Sequence, residues 1–167
     1  MGTSLLIEPM TGPDLAAVVA MDSSTHTSEE QLREELARSW SHVWVARARA
    51  DTSNNDEVVA FLVAWHVADE LHVLNVTTRA DRRRRGIARA MMETAVAYGR
   101  RSRVKQILLE VRRSNRAAIS LYRSVGFFAT NVRPRYYPDD EDAVEMLLVF
   151  DPETRAVVDR ADEVKLD

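Results

Sequence analysis

The sequence predicts a mixed α/β domain (α+β): one mixed, mostly antiparallel sheet of about seven strands flanked by four helices. Three observations predict it. Apolar runs of strand length recur between turn signals. Stretches with apolar residues spaced i, i+4 interrupt them. Near the middle, strand, helix, strand and helix alternate, which brings a parallel pair into an otherwise antiparallel sheet. The element order reads βααβββαβαββ. A length of 167 residues, with 46% hydrophobic and 29% charged, suits one domain around one core.

In order, Ser4–Ile7 is a short strand, punctuated by Pro9 and Gly12-Pro13. From Asp14, the residues Leu15, Val18, Val19 and Met21 mark a helical face. Ser28 precedes Glu30, Gln31, Leu32 and Leu36, so it caps a second helix. Val43–Ala46 and Val58–Val67 are strands joined by the turn-rich stretch 51–56, and Asp69-Glu70 leads into the strand Leu71–Thr78. Apolar residues at 87, 91, 95 and 98 mark the third helix, which Gly99 is positioned to end. The unbroken run Ile107-Leu108-Leu109 reads as a strand buried on both faces. Ser114 is expected to cap a helix through Val125 that Gly126 stops. Phe127–Val132 and Val144–Phe150 are the last strands. The domain is expected to span 1–150. The polar residues 151–167 are expected outside the core, as a loose tail or a short surface helix.

Several classes are disfavoured. No apolar run approaches the roughly 20 residues that cross a bilayer, so no membrane role is expected. The first residues lack a charged segment followed by a long apolar stretch, so no signal peptide is read. With no cysteine there is no disulfide, thiolate ligand or acyl-cysteine. These features fit a cytoplasmic protein. The four histidines have no ligand spacing and no metal is expected. A net charge of −3 gives no global pull toward nucleic acid, although basic residues crowd 79–89 and 100–116.

Arg82-Arg83-Arg84-Arg85-Gly86-Ile87-Ala88 lies between a strand and a helix. A helix start offers unpaired N–H groups and partial positive charge, which suit a phosphate. Gly86 lets the backbone come close to a ligand. A solvated basic turn or a nucleic-acid patch is the plainer alternative.

Glu110 ends the apolar strand run, and burying an unpaired carboxylate is costly. It therefore pairs with an arginine, Arg112 or Arg113, or faces an open cleft. Asn115 and Tyr122 lie two helical turns apart and share a face. Asn115 could equally cap its helix beside Ser114. Tyr122 could be an ordinary half-buried core tyrosine.

Arg83-x-x-Gly86-x-Ala88 resembles the pyrophosphate motif of the GNAT superfamily of acetyl-CoA-dependent N-acetyltransferases. The stretch Leu109-Glu110-Val111-Arg112, Ser114-Asn115, Ala118-Ile119, Leu121-Tyr122 and Gly126-Phe127 closely resembles the bacterial ribosomal-protein N-terminal alanine acetyltransferases (RimI-type). So does Arg133-Pro134-Arg135-Tyr136-Tyr137-Pro138 with Glu141-Asp142-Ala143. The resemblance runs from about Leu71 through Leu147. It implies the GNAT fold and acetyl-CoA as cosubstrate. By resemblance the loop Arg83, Arg84, Arg85, Gly86, Ile87 and Ala88 holds the pyrophosphate, and the strand segment Val76, Thr77 and Thr78 holds the pantetheine arm. Asn115 contacts coenzyme A, Glu110 accepts the proton, and Tyr122 protonates the departing thiolate.

Tyr136 and Tyr137 would border the peptide site, or form an exposed aromatic hairpin. The run Asp139–Asp142 is read as solvating that turn. The implied acceptor is a protein N-terminus, a ribosomal protein in the RimI-type branch. One departure bears on it: related enzymes carry Pro-Trp between the first two helices, where this chain reads Ser23–Ser28. A lysine or small-amine acetyltransferase, a non-catalytic acetyl-CoA-binding regulatory module and an RNA-binding protein are the competing readings.

Overall fold

The structure is a computed structural model that describes residues 4–21, 27–49 and 55–167. The strands are β1 (Leu5–Pro9), β2 (Ser41–Arg49), β3 (Asp56–Val67), β4 (Glu70–Thr78), β5 (Gln106–Arg112), β6 (Phe128–Arg133) and β7 (Ala143–Val149). The helices are α1 (Leu15–Met21), α2 (Glu29–Ala37), α3 (Ile87–Arg101) and α4 (Arg116–Val125). In chain order this is the βααβββαβαββ read from the sequence. The seven strands form one sheet in the order β1-β2-β3-β4-β5-β7-β6. β4 and β5 are parallel. The β1–β2, β2–β3, β5–β7 and β6–β7 pairs are antiparallel. Among the described residues no helix is long and apolar enough to cross a membrane.

The chain divides into two compact units. The first comprises residues 1–66 and 74–94. Leu15 and Val18 of α1 and Leu32 of α2 pack with Val43, Val45, Val58, Phe61 and Val63 of β2 and β3. Val43 and Val45, and Phe61 and Val63, lie two apart, the period-2 spacing of a strand face turned to a core. Ser28 caps α2 as expected: its hydroxyl accepts from the Gln31 N–H at 3.1 Å, and the Gln31 side chain accepts from the Ser28 N–H at 2.8 Å. The loop residues 22–26 and 50–54 lie outside the described residues, so most of the Ser23–Ser28 departure and of the 51–56 turn does too.

The second unit comprises residues 67–73 and 95–167. Ile107, Leu109 and Val111 of β5 are buried, Leu108 is half-buried and Glu110 is exposed. β5 is therefore buried fully on one face only, not on both. The alternation explains it: Leu108 and Glu110 share the more open face.

Gly99 does not end α3, which continues to Arg101. A Cβ on Gly99 would meet Val104 at 3.0 Å, Phe150 at 3.2 Å and Ile107 at 3.3 Å. This glycine serves close packing rather than a turn. Gly126 does stop α4, with φ +116° in the left-handed region. Residues 151–167 take neither of the expected forms. They turn at 152–154 and pack against their unit, with Phe150 bridged to Val157 and Leu166 buried. Asp162 accepts from the Ala129 N–H at 2.8 Å and pairs with Arg123.

Candidate active site

The phosphate-loop candidate lies in the first unit. β4 ends at Thr78, a 3-10 turn spans Ala80–Arg82, and α3 starts at Ile87. The Ala90 N–H donates to the Gly86 carbonyl at 3.1 Å, so Gly86 caps α3. That leaves the Ile87 and Ala88 amides at the open helix start, without a backbone acceptor among the described residues. Arg84 (φ 63°) and Gly86 (φ 77°) both adopt left-handed backbone, a conformation that recurs in anion-binding nests. A Cβ on Gly86 would meet nothing within 4 Å, so the space before the loop is open. Arg84 and Arg85 are exposed. Arg83 is committed instead, its Nε donating to the Thr78 carbonyl at 3.2 Å. Arg82 is buried beside Glu57.

Val76, Thr77 and Thr78 close β4 and are all half-buried. The Thr77 hydroxyl donates to Asn75 at 2.8 Å. The Thr78 hydroxyl is buried without a partner among the described residues. An orphaned hydroxyl costs free energy unless a ligand satisfies it. With the open helix start, it makes this stretch fit a cosubstrate bearing phosphates and amides.

A groove of about 370 Å³ in the same unit is lined by Thr27, Gln31, Leu32, Glu34, Glu35, Arg38, Val63, Leu74 and Asn75. Glu35 is fixed there: it pairs with Arg38 at 2.7 Å and accepts from Trp65 Nε1 at 2.7 Å and the Ser41 hydroxyl at 2.5 Å.

The second unit carries Glu110, Asn115, Tyr122, Tyr136 and Tyr137. Glu110 does pair with an arginine, but with Arg133 (3.0 Å) rather than Arg112 or Arg113. Its other oxygen accepts from the Tyr136 hydroxyl. The carboxylate keeps 33% of its side-chain exposure. Arg112 and Arg113 are engaged by the acidic run. Arg112 pairs with Asp139 at 2.9 Å and Glu141 at 2.8 Å, and Arg113 pairs with Asp142 at 3.2 Å. Glu141 also accepts from the Ser114 N–H at 2.9 Å, and Asp142 from the Arg135 N–H at 3.0 Å. The run Asp139–Asp142 therefore does more than solvate its turn. It fastens the β6–β7 loop to the β5–α4 loop.

Within that loop Tyr136 and Tyr137 meet edge to face at 5.1 Å. The Arg112 guanidinium lies 4.1 Å from the Tyr137 ring centre. Tyr136 is 44% exposed, so the aromatic hairpin reading also describes part of what is there. Its hydroxyl is held above the usual tyrosine range by its hydrogen bond to Glu110.

Asn115, not Ser114, caps α4, and its Oδ1 accepts from the Ala118 N–H at 3.1 Å. Asparagine fits that place because its side-chain carbonyl reaches the first turn. Tyr122 lies on the second turn of α4 with its ring 6.0 Å from Phe127. Burial, with a smaller contribution from Tyr137, pushes its hydroxyl up to about 12.

Two residues near Glu110 were not singled out as site residues from sequence. Arg133 joins Glu110 to Glu145, with 3.0 Å to each. The available signal was charge alternation: Glu145 interrupts an apolar strand that pairs with another strand interrupted by Glu110.

A family model described as the acetyltransferase (GNAT) family matches residues 14–127. The ribosomal protein bS18-alanine N-acetyltransferase of Escherichia coli (strain K12) is 37% identical over 99 residues, 58% of this chain and 67% of that protein. The crystal structure of the ribosomal-protein-S18-alanine N-acetyltransferase from Escherichia coli has a TM-score of 0.75 and 28% identity, covering 96% of this chain and 97% of that one. Arabidopsis thaliana NAA60 in complex with acetyl-CoA shares the fold, with a TM-score of 0.76 at 18% identity over 86% of this chain and 97% of that one. The matched residues take in the loop at Gly86, the strand bearing Glu110 and the helix bearing Tyr122, and on them the chain belongs to the acetyltransferase (GNAT) family, as an acetyl-CoA-dependent N-acetyltransferase.

Proposed function

We propose that the chain acetylates the α-amino group of a protein N-terminus, with Glu110 as proton acceptor and Tyr122 as proton donor. The observation that carries this reading is Glu110 itself. It is a water-accessible carboxylate that interrupts the apolar run of β5, oriented by two donors. The likeness to the Escherichia coli enzyme named for a ribosomal protein supports an N-terminal amine as the acceptor. The acetyltransferase domain is taken as residues 1–150, with 151–167 strapped along it.

Acetyl-CoA supplies an activated acyl thioester. The Ile87 and Ala88 amides, with Gly86 leaving the approach open, take the pyrophosphate oxygens. Arg84 and Arg85 add charge at the rim, and Arg83 braces the loop against Thr78. Val76, Thr77 and Thr78 offer main-chain groups to the pantetheine amides, and N–H groups there stabilise charge developing on the acyl oxygen. The Asn115 side chain, whose Oδ1 caps α4, offers its amide nitrogen to coenzyme A. Tyr136 and Tyr137 border the acceptor peptide.

An α-amino group has a reference pKa of about 7.7–8.0, so near pH 7 most of it is protonated and cannot attack. Glu110 removes that proton, directly or through one water. Tyr122, held protonated by burial, donates its hydroxyl hydrogen toward the departing sulfur.

Coenzyme A release with short peptides tests the reading. Free Ala-, Ser- and Met- N-termini are compared with an N-blocked peptide containing lysine. Turnover confined to free N-termini supports the proposal. Turnover of the blocked lysine peptide transfers the protein to a lysine-directed activity.

A further inference from the structure

Glu110 does not stand alone on its face of the sheet. In the β5–β7 ladder it is paired with Glu145, and directly opposed residues on neighbouring strands project to the same side. Two like charges in that relation repel. Arg133, on β6, relieves the repulsion by bridging them: Nη1 lies 3.0 Å from Glu110 Oε1, and Nε lies 3.0 Å from Glu145 Oε1. The remaining oxygens are also engaged. Tyr136 donates to Glu110 Oε2, and Asn131 donates to Glu145 Oε2 at 2.8 Å. All three charged side chains remain reachable by water, with exposures of 48%, 33% and 29% for Arg133, Glu110 and Glu145.

An amine acceptor arrives near neutral pH mostly as an ammonium. To pass a proton to Glu110 it must bond to a carboxylate whose two oxygens already have donors. Each oxygen keeps a further lone pair, but ammonium and guanidinium carry the same charge and repel when both sit on one carboxylate, so they compete for it. Arg133 can yield that place without losing its charge partner, because Glu145 holds its Nε. A bridging guanidinium with one carboxylate would have no such second position.

We infer that Glu110, Arg133 and Glu145 form an ammonium-recognition device in which the acceptor's ammonium takes the place of Arg133 on Glu110 while Glu145 retains the guanidinium. Glu145 is thus a positioning residue and Arg133 an exchangeable counter-ion. The acceptor class this selects is a cationic primary amine. In the proton step the acceptor N–H bond breaks and a Glu110 O–H bond forms, leaving the nitrogen lone pair free to attack. The inference rests on Glu110 being the proton acceptor.

The test measures kcat and KM for a free-N-terminus peptide and for acetyl-CoA in Glu145→Gln, Glu145→Asp, Arg133→Met and the Glu145→Gln/Arg133→Met double variant, with thermal unfolding to confirm each fold. In Glu145→Gln the guanidinium loses the second carboxylate and binds Glu110 more firmly, so acceptor KM rises about tenfold while KM for acetyl-CoA stays within about twofold. Glu145→Asp, which keeps the charge, recovers part of the loss. Adding Arg133→Met recovers most of it, because no guanidinium is left to displace. Wild-type acceptor KM in Glu145→Gln, or additive losses in the double variant, overturns the exchange. Full activity of Glu110→Gln would instead overturn the reading of the base, whatever the other variants do.

Discussion

The Tyr136 hydroxyl donates to Oε2 of Glu110, tying the loop between β6 and β7 to the carboxylate on β5. A side chain 26 positions away in sequence thereby fixes the orientation of the group read as the base. The bond has a kinetic consequence. Glu110→Gln keeps the shape but cannot accept a proton, so kcat falls about 10²-fold or more while acetyl-CoA affinity holds. Tyr136→Phe removes only one of two donors, and kcat falls by less than about tenfold, with acceptor KM rising. Steady-state kinetics on both variants check the order. A larger kcat loss in Tyr136→Phe than in Glu110→Gln would exchange their roles.

Tyr122 makes a prediction about pH. A proton donor works while it keeps its proton, and burial pushes this hydroxyl up to about 12. Turnover at saturating acetyl-CoA and acceptor should therefore show no alkaline fall through pH 10. An ordinary tyrosine titrates near 10, and a donor of that kind would bring kcat down by half there. Tyr122→Phe should lower kcat across the whole range without introducing a new limb. A fall centred near pH 10 in the wild type that vanishes in Tyr122→Phe would show the hydroxyl to be less buried than the structure has it.

The order of elements was legible because each strand and helix carried its own period. Leu15 and Val18, Ile87 and Met91, and the Ser28–Gln31 cap are local signals, and each stands where its pattern placed it. What escaped depends on partners remote in sequence. Gly99 looks like a stop, but Val104, Ile107 and Phe150 crowd its missing Cβ and keep it inside α3. The tail looks detached by composition, yet Val157 covers Gly126 and Leu166 is buried. In the candidate site, Glu110 was visible as a carboxylate in an apolar run. Its partner was not, because choosing among Arg112, Arg113 and Arg133 requires the β5-β7-β6 strand order.

Asn115 separates two roles that one alanine substitution would merge. Its Oδ1 caps α4 through the Ala118 N–H, and its amide nitrogen is the part read as facing coenzyme A. Asn115→Ala should cost about 1 kcal/mol of stability through the lost cap. Asn115→Ser keeps a capping oxygen but has no amide. If the amide serves the cosubstrate, the serine variant melts within a degree or two of wild type yet shows a raised KM for acetyl-CoA. Unchanged KM in that variant would leave Asn115 a cap alone.

In the first unit, Asp14 and Arg47 form the most buried ion pair among those described, at 2.6 Å with side-chain exposures of 5% and 22%. Burial alone would raise the Asp14 carboxyl. Hydrogen bonds from the Thr11 backbone and Arg47 outweigh it, and the net shift is downward. Removing the cation strands the charge: Arg47→Met should cost about 3 kcal/mol near pH 7, while Asp14→Asn, which strands no anion, costs less. The sign of the pH dependence follows from the lowered carboxyl. Its stabilisation is complete above the unfolded value of about 3.9 and is lost as pH falls through the folded value. The stability gap between wild type and Asp14→Asn, read from denaturant midpoints between pH 7 and 2.5, should therefore stay constant down to about pH 4.5 and then close. A gap that widened on acidification would mean the folded carboxyl is raised, and that burial, not Arg47, dominates at that position.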